Sequence, residues 1–135
     1  MSEAFLRVEY LNWQVNERSI LSDINLTIEQ GQFVGIIGTN GAGKSSLLRS
    51  IYRYIKPTSG DVIVAGKNIW QQKATDVAKQ VSVVQQTAEQ LPFRVFDIVR
   101  MGLTPHKSFF SQDSADDITK IQEAISQVDL CHLAS

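Results

Sequence analysis

The 135-residue chain carries 13 basic and 14 acidic side chains, a formal net charge of -1, and is 43% hydrophobic. That length lies in the single-domain range and that apolar fraction can fill a core, which excludes an intrinsically disordered chain. The near-neutral balance gives no bulk electrostatic case for nucleic acid or an anionic membrane surface, and no apolar run approaches the length of a membrane span.

The opening MSEAFLRVEY contains an acid and lacks the apolar centre of a signal peptide, so a cytosolic location is expected. The single cysteine, Cys131, cannot form an internal disulfide, and His132 beside it does not complete a metal-ligand set. Both read as ordinary helix-end residues.

Leu6 to Tyr10 and Ile20 to Ile28 read as strands, the second with Ile24, Leu26 and Ile28 on one face and Asn25 and Thr27 on the other. Glu29 to Gln32 is a turn, which gives an antiparallel opening. Phe33-Val34-Gly35-Ile36-Ile37 is a short apolar, branched run suited to a buried strand. It leads into GTNGAGKS at residues 38 to 45, which matches G-x-x-x-x-G-K-[ST] at every fixed position. Gly38, Gly41 and Gly43 allow main-chain N–H groups to turn inward around a phosphate, Lys44 supplies a point charge, and Ser45 offers Mg²⁺ a hydroxyl. From Ser45 to Tyr54 the spacing of Leu47, Leu48, Ile51 and Tyr52 is helical. Strand, glycine loop and helix together predict a nucleotide site formed by Gly38, Thr39, Asn40, Gly41, Ala42, Gly43, Lys44, Ser45 and Ser46.

Lys56-Pro57-Thr58-Ser59-Gly60 ends that helix and turns the chain. Asp61 to Ala65 reads as a strand, Gly66-Lys67-Asn68 as a tight turn, Ala74 to Lys79 as a short helix and Val81 to Val84 as another strand. Residues 85 to 90 form a polar loop. Val95 to Met101 is a helix closed by Gly102, with Pro105 beyond it. Asp116 to Val128 is amphipathic, with Ile118, Ile121, Ile125 and Val128 on one face and acids at 113, 116 and 117 near its positive end. The change from alternating strands to helices divides the chain into residues 1–90 and 91–135. His106 is a lone loop histidine and carries no catalytic reading.

These residues together resemble the N-terminal part of an ABC-type ATPase subunit, most nearly those of iron-chelate and haem importers. GTNGAGKSSLL is similar to the family's GPNGAGKS loop, with Thr39 in place of the usual proline. LNWQVNERSILSDINLTIEQGQFVGIIG resembles the strands preceding that loop, and KPTSGDVIVAGKNI the hairpin following its helix. The resemblance implies an α/β fold of the P-loop NTPase, ABC type, incomplete, with an antiparallel β subdomain and the start of a helical subdomain. It places Trp13 where many relatives stack an aromatic ring on adenine, although a shift of two residues would put Val15 there. It places Gln86 at the glutamine that contacts Mg²⁺ and the attacking water, with Gln85 as the alternative because it replaces a frequent proline. LPFRVFDIVRMGLTPH resembles the start of the helical lobe in siderophore and haem importers, with Leu103 where an arginine is usual.

The family's hydrolytic apparatus also includes a Ser-Gly-Gly signature loop and an aliphatic strand ending in Asp-Glu. Gly102 is the last glycine here, and the aliphatic runs Val62-Ile63-Val64 and Val83-Val84 are followed by Ala-Gly and Gln-Gln. The chain is therefore expected to be an N-terminal fragment or truncated product that stops before the signature, with the loop strand left unpaired and partly uncovered. The resemblance implies ATP and Mg²⁺ as cofactors, with Lys44 and Gln86 as catalytic residues and Ser45 and Gln86 at the metal. It implies integral membrane permease subunits and a second ATP-binding subunit as partners, no nucleic acid, and a cytoplasmic position on the inner face of the membrane. The complete protein would couple ATP hydrolysis to iron-chelate uptake, whereas this chain alone would bind without turnover. A non-catalytic nucleotide-binding module is the alternative. A small P-loop kinase is a third reading, weakened because Arg94 and Arg100 are isolated rather than clustered into a lid.

Overall fold

The computed structural model describes residues 4–86, 92–108 and 111–133. It divides the chain into two compact units, Met1–Val83 and Val84–Ser135.

In the first unit, β1 (Ala4–Val15) and β2 (Arg18–Glu29) form a long antiparallel hairpin. β3 (Ser59–Val64) pairs with the other edge of β1, and β4 (Lys67–Asn68) with β3, giving a four-stranded sheet of order β2-β1-β3-β4. Ala65 and Gly66, both at positive φ, form the two-residue connection between β3 and β4. That is the type I′ geometry that matches strand twist, and it places the turn one residue earlier than Gly66-Lys67-Asn68 suggests. One sheet face supplies the core: Val8, Leu11, Leu21, Val62 and Val64 cluster with Leu47, Ile69 and Val77. Ile24, Leu26 and Ile28 are half-buried while Asn25 and Thr27 are exposed, as the strand alternation predicts.

Helix α1 (Lys44–Ile51) follows the glycine loop. It stops before the predicted Tyr54 because Arg53 turns left-handed, which lets the amides of Tyr54 and Ile55 donate to the Arg49 carbonyl at 2.8 and 3.1 Å. Leu47 enters the core, while Leu48 is exposed. The short α2 (Ala74–Ala78) docks through Val77.

Residues 33–37, suited by composition to a buried strand, stand unpaired and uncovered, as expected for a loop strand without neighbours. This apolar run has no regular secondary structure and pairs with no described strand, with Phe33 fully exposed and Ile37 96% exposed. Val81 to Val84 behaves likewise and ends in Val84 at 98% exposure. Both runs have the composition of interior parallel strands, but neither pairs with a strand among the described residues, and only Val81 packs against the core.

The second unit holds α3 (Val95–Met101), a 3₁₀ turn at Thr104–His106, α4 (Ala115–Gln127) and a 3₁₀ turn at Cys131–Leu133. Gly102 closes α3 as its C-cap, as expected, but in right-handed rather than left-handed conformation, and Leu103 leads into the 3₁₀ turn. Ile121 and Ile125 of α4 are buried, whereas Ile118 and Val128 at the ends of the same face are exposed. Ser114 and Asp117 form a reciprocal capping box at the α4 N-terminus. Cys131 and His132 are exposed. Among the described residues no helix is long and apolar enough to cross a membrane.

Candidate nucleotide-binding site

The glycine loop follows the apolar run at 33–37 and ends on α1. The Ala42 amide donates to the Thr39 carbonyl at 3.2 Å, turning the chain back on itself. Gly43 is the N-cap of α1 at φ +90, and no side chain caps the helix or places an acid in its first turn. The opening amides of α1 and their positive dipole end thus lack any side-chain acceptor, the condition under which a helix start binds an anion. Lys44 Nζ lies back over the loop and donates to the carbonyls of Gly38 at 2.8 Å and Thr39 at 2.7 Å. Both acceptors are neutral and no described carboxylate pairs with Lys44, so its charge remains available to a phosphate. Ser45 is exposed in the first turn of α1, while Ser46 accepts through its carbonyl from Ser50 Oγ at 3.0 Å within the helix.

Gly43 must be glycine for a second reason. A Cβ there would lie 2.9 Å from the Ile20 carbonyl oxygen and 3.0 Å from Leu21 Cδ2, so the β2 backbone is pressed against the start of α1. Trp13 pairs with Leu21 across the hairpin and packs, half-buried, against the core. Val15, paired with Arg18, is 41% exposed. The hairpin end carrying both candidate adenine-side residues therefore adjoins the phosphate loop through Leu21 and Gly43.

Gln85 and Gln86 are exposed in the second unit. The rest of the polar loop, residues 87 to 90, lies outside the described residues. Among the described residues no group of three or more His, Cys, Asp or Glu side chains could hold a metal ion. In the first unit the Ser45 hydroxyl is an exposed oxygen at the start of α1, the kind of donor that suits Mg²⁺ arriving with polyphosphate and retaining waters rather than a protein-built metal cage.

Two features carried no sequence signal. In the first unit a cavity of about 280 Å³ is lined by Tyr52, Arg53, Trp70, Val77, Val81 and Val83, among others. Arg53 lies over the Trp70 ring at 5.3 Å, and its Nε and Trp70 Nε1 are buried without a described acceptor. In the second unit, Lys107 pairs with Asp113 and, at 2.9 Å, with Asp117, while Arg100 also pairs with Asp113. The Lys107 hydrogen bond holds the Asp113 carboxyl below its ordinary value, and Lys107 with the Ser114 amide and hydroxyl holds Asp117 well below it. The same two carboxylates raise Lys107, Asp113 the more strongly.

The sequence profile of the ABC transporter family matches residues 21–135. The petrobactin import ATP-binding protein FpuC of Bacillus anthracis is 36% identical over 116 residues, covering 85% of this chain and 43% of that protein. The probable siderophore transport system ATP-binding protein YusV of Bacillus subtilis is 30% identical over 135 residues, covering 99% of this chain and 49% of the relative. A solved nucleotide-free ATP-binding cassette from an ABC transporter superposes with a TM-score of 0.81 over 98% of this chain and 56% of that one, at 23% identity, a likeness of fold. With a matched profile over most of its length, and spanning about half the length of these curated relatives, the chain belongs to the ABC transporter family, in its ATP-binding cassette fold.

Proposed function

We propose that the chain forms the phosphate-binding part of an importer's ATP-binding subunit, and that the complete subunit couples ATP hydrolysis to uptake of an iron chelate through a membrane permease. The observation that carries this reading is the glycine loop with Lys44 laid across it at the uncapped start of α1. The solute class is supported by relatives named for petrobactin import and siderophore transport.

In this reading the loop amides and the ammonium of Lys44 hold the phosphates, Ser45 faces Mg²⁺, and Trp13, or Val15 in its place, meets the adenine. Gln86, or Gln85, takes the glutamine role beside the metal and the attacking water. Bound Mg²⁺ would offset charge on the phosphoryl oxygens. The partners are permease subunits and a second copy of the ATP-binding subunit, at the cytoplasmic face of the membrane. The alternative is a non-catalytic nucleotide-binding module. On either reading this chain binds without turnover.

Titration with Mg·ATP tests the binding step. Lys44→Ala should weaken it roughly tenfold to a hundredfold, since a hydrogen bond to a charged group contributes about 1.5–3 kcal/mol. The circular dichroism spectrum should not change, because both hydrogen bonds of Lys44 stay within the loop. Equal affinity in the two proteins would overturn the site. Phosphate release above background from the unsubstituted chain would overturn the expectation of no turnover.

A further inference from the structure

We propose that Asn12, clasped with Asn25 across two facing kinks in β1 and β2, is a positioning residue that sets where the hairpin presents Trp13 to the nucleotide base. The inference rests on the nucleotide reading above and adds a determinant of base recognition that does not touch the nucleotide.

The kinks are strained. Tyr10 in β1 and Asp23 in β2 both have φ +49, although neither is glycine. The ladder breaks here, between Val8 and Leu11 against β2 and between Glu9 and Asn12 against β3. Tyr10 is 69% exposed, so packing of its ring does not hold it in this conformation.

Side-chain amides replace the lost ladder bonds. Asn12 Oδ1 accepts from the Asp23 amide at 2.9 Å, and Asn12 Nδ2 donates to the Tyr10 carbonyl at 2.8 Å and to Ser59 Oγ at 3.2 Å. Asn25 Oδ1 accepts from the Tyr10 amide at 2.9 Å, and its Nδ2 donates to the Asp23 carbonyl at 3.0 Å. The Asn12 backbone carbonyl accepts from the Thr58 amide at 2.8 Å, and Thr58 Oγ1 accepts from the Gln14 amide at 3.1 Å. Gly60 completes the site, since a Cβ there would come within 2.3 Å of the Tyr10 carbonyl oxygen. One asparagine thus ties β1, β2 and β3 together where all three leave regular pairing.

Beyond the kink the hairpin carries Trp13 opposite Leu21, and Leu21 with Ile20 rests on Gly43 at the start of α1. Paired bulges re-aim the strand that follows them, and strained residues persist only where surrounding contacts over-determine them. Here those contacts come from Asn12 and Asn25. Releasing them lets β1 relax toward regular pairing and shifts Trp13, the residue after Asn12, relative to the phosphate loop.

The test separates base from phosphate. Mg·ATP and magnesium tripolyphosphate are titrated into the full chain and into Asn12→Ala and Asn25→Ala, with sheet content followed by circular dichroism. The asparagine variants should lose about tenfold in ATP affinity, within the range of a lost base–aromatic stack, and hold tripolyphosphate within about twofold. If both variants bind ATP like the unsubstituted chain, the inference fails and the nucleotide reading stands. Equal losses for both ligands would also overturn it, by showing that the clamp supports the loop rather than the base. If both variants lose their sheet signal, the clamp is purely architectural and the inference is overturned. Failure of the unsubstituted chain to bind either ligand would overturn the nucleotide reading itself, and this inference with it.

Discussion

Two glycines and one lysine show how single residues build the site. Gly43 is fixed by conformation and by space, with φ +90 and a β2 carbonyl 2.9 Å from where a Cβ would be. Gly43→Ala should therefore destabilise the first unit by about 1–3 kcal/mol through left-handed strain and forced separation of β2 from α1. Thermal unfolding checks this, and an unchanged midpoint would show that the contact is slack. Gly41 also has positive φ, but a Cβ there meets nothing within 4 Å, so its role lies in the turn alone. The motif marks both glycines alike. Only the fold separates the one that spaces the hairpin from the one that turns the loop. The position of Lys44 at the start of α1 was legible from the motif, whereas its bonds to the Gly38 and Thr39 carbonyls were not.

At the scale of elements, the second unit depends on the anchoring of α4. Its start is fixed by the capping box and by the Lys107, Asp113 and Asp117 cluster. Ser114→Ala removes the cap acceptor for the Asp117 amide and should cost about 1 kcal/mol, read as lower helicity and a lower melting temperature. The carboxyls of Asp113 and Asp117 lie below their ordinary value of 3.8, so their contribution is fully present above that pH and is lost as pH falls beneath it. Lys107 lies above 10.5, so its contribution is complete below that pH and is lost as pH rises further. Acid titration of α4 helicity should thus show loss below about pH 4, steeper than in Asp113→Asn. Identical acid limbs would show that the cluster contributes nothing. The acids at 113, 116 and 117 were visible as helix-start residues. The pairing of Asp113 and Asp117 with Lys107 was not, because it joins residues on separate elements.

For the whole molecule the decisive feature is apolar surface left uncovered. Phe33, Ile37 and Val84 are almost fully exposed, and each forgoes about 1.5–3 kcal/mol that burial of such a side chain would contribute. The chain by itself should be marginally stable, bind a hydrophobic dye and associate with rising concentration. Phe33→Ser with Ile37→Ser should reduce association without lowering the melting temperature, since these side chains pack on little. A sharp, cooperative, monomeric transition at high temperature in the unsubstituted chain would contradict this account.

The sequence by itself determined the glycine loop and most strands and helices, because each depends on local spacing: glycine placement, alternation with period two, helical repeats and cap residues. The family followed from the resemblance of its motifs taken together. The sequence also marked the run at 33–37 as suited to a buried strand, expected to stand unpaired, and the run at 81–84 as strand-like. Only the tertiary structure decided that the run at 81–84 also stands unpaired, that β2 rests on Gly43, and that Asn12 and Asn25 hold two strands in a shared kink. Those outcomes depend on which backbone groups meet across long separations, and strand pairing needs a partner whose presence no local pattern can report.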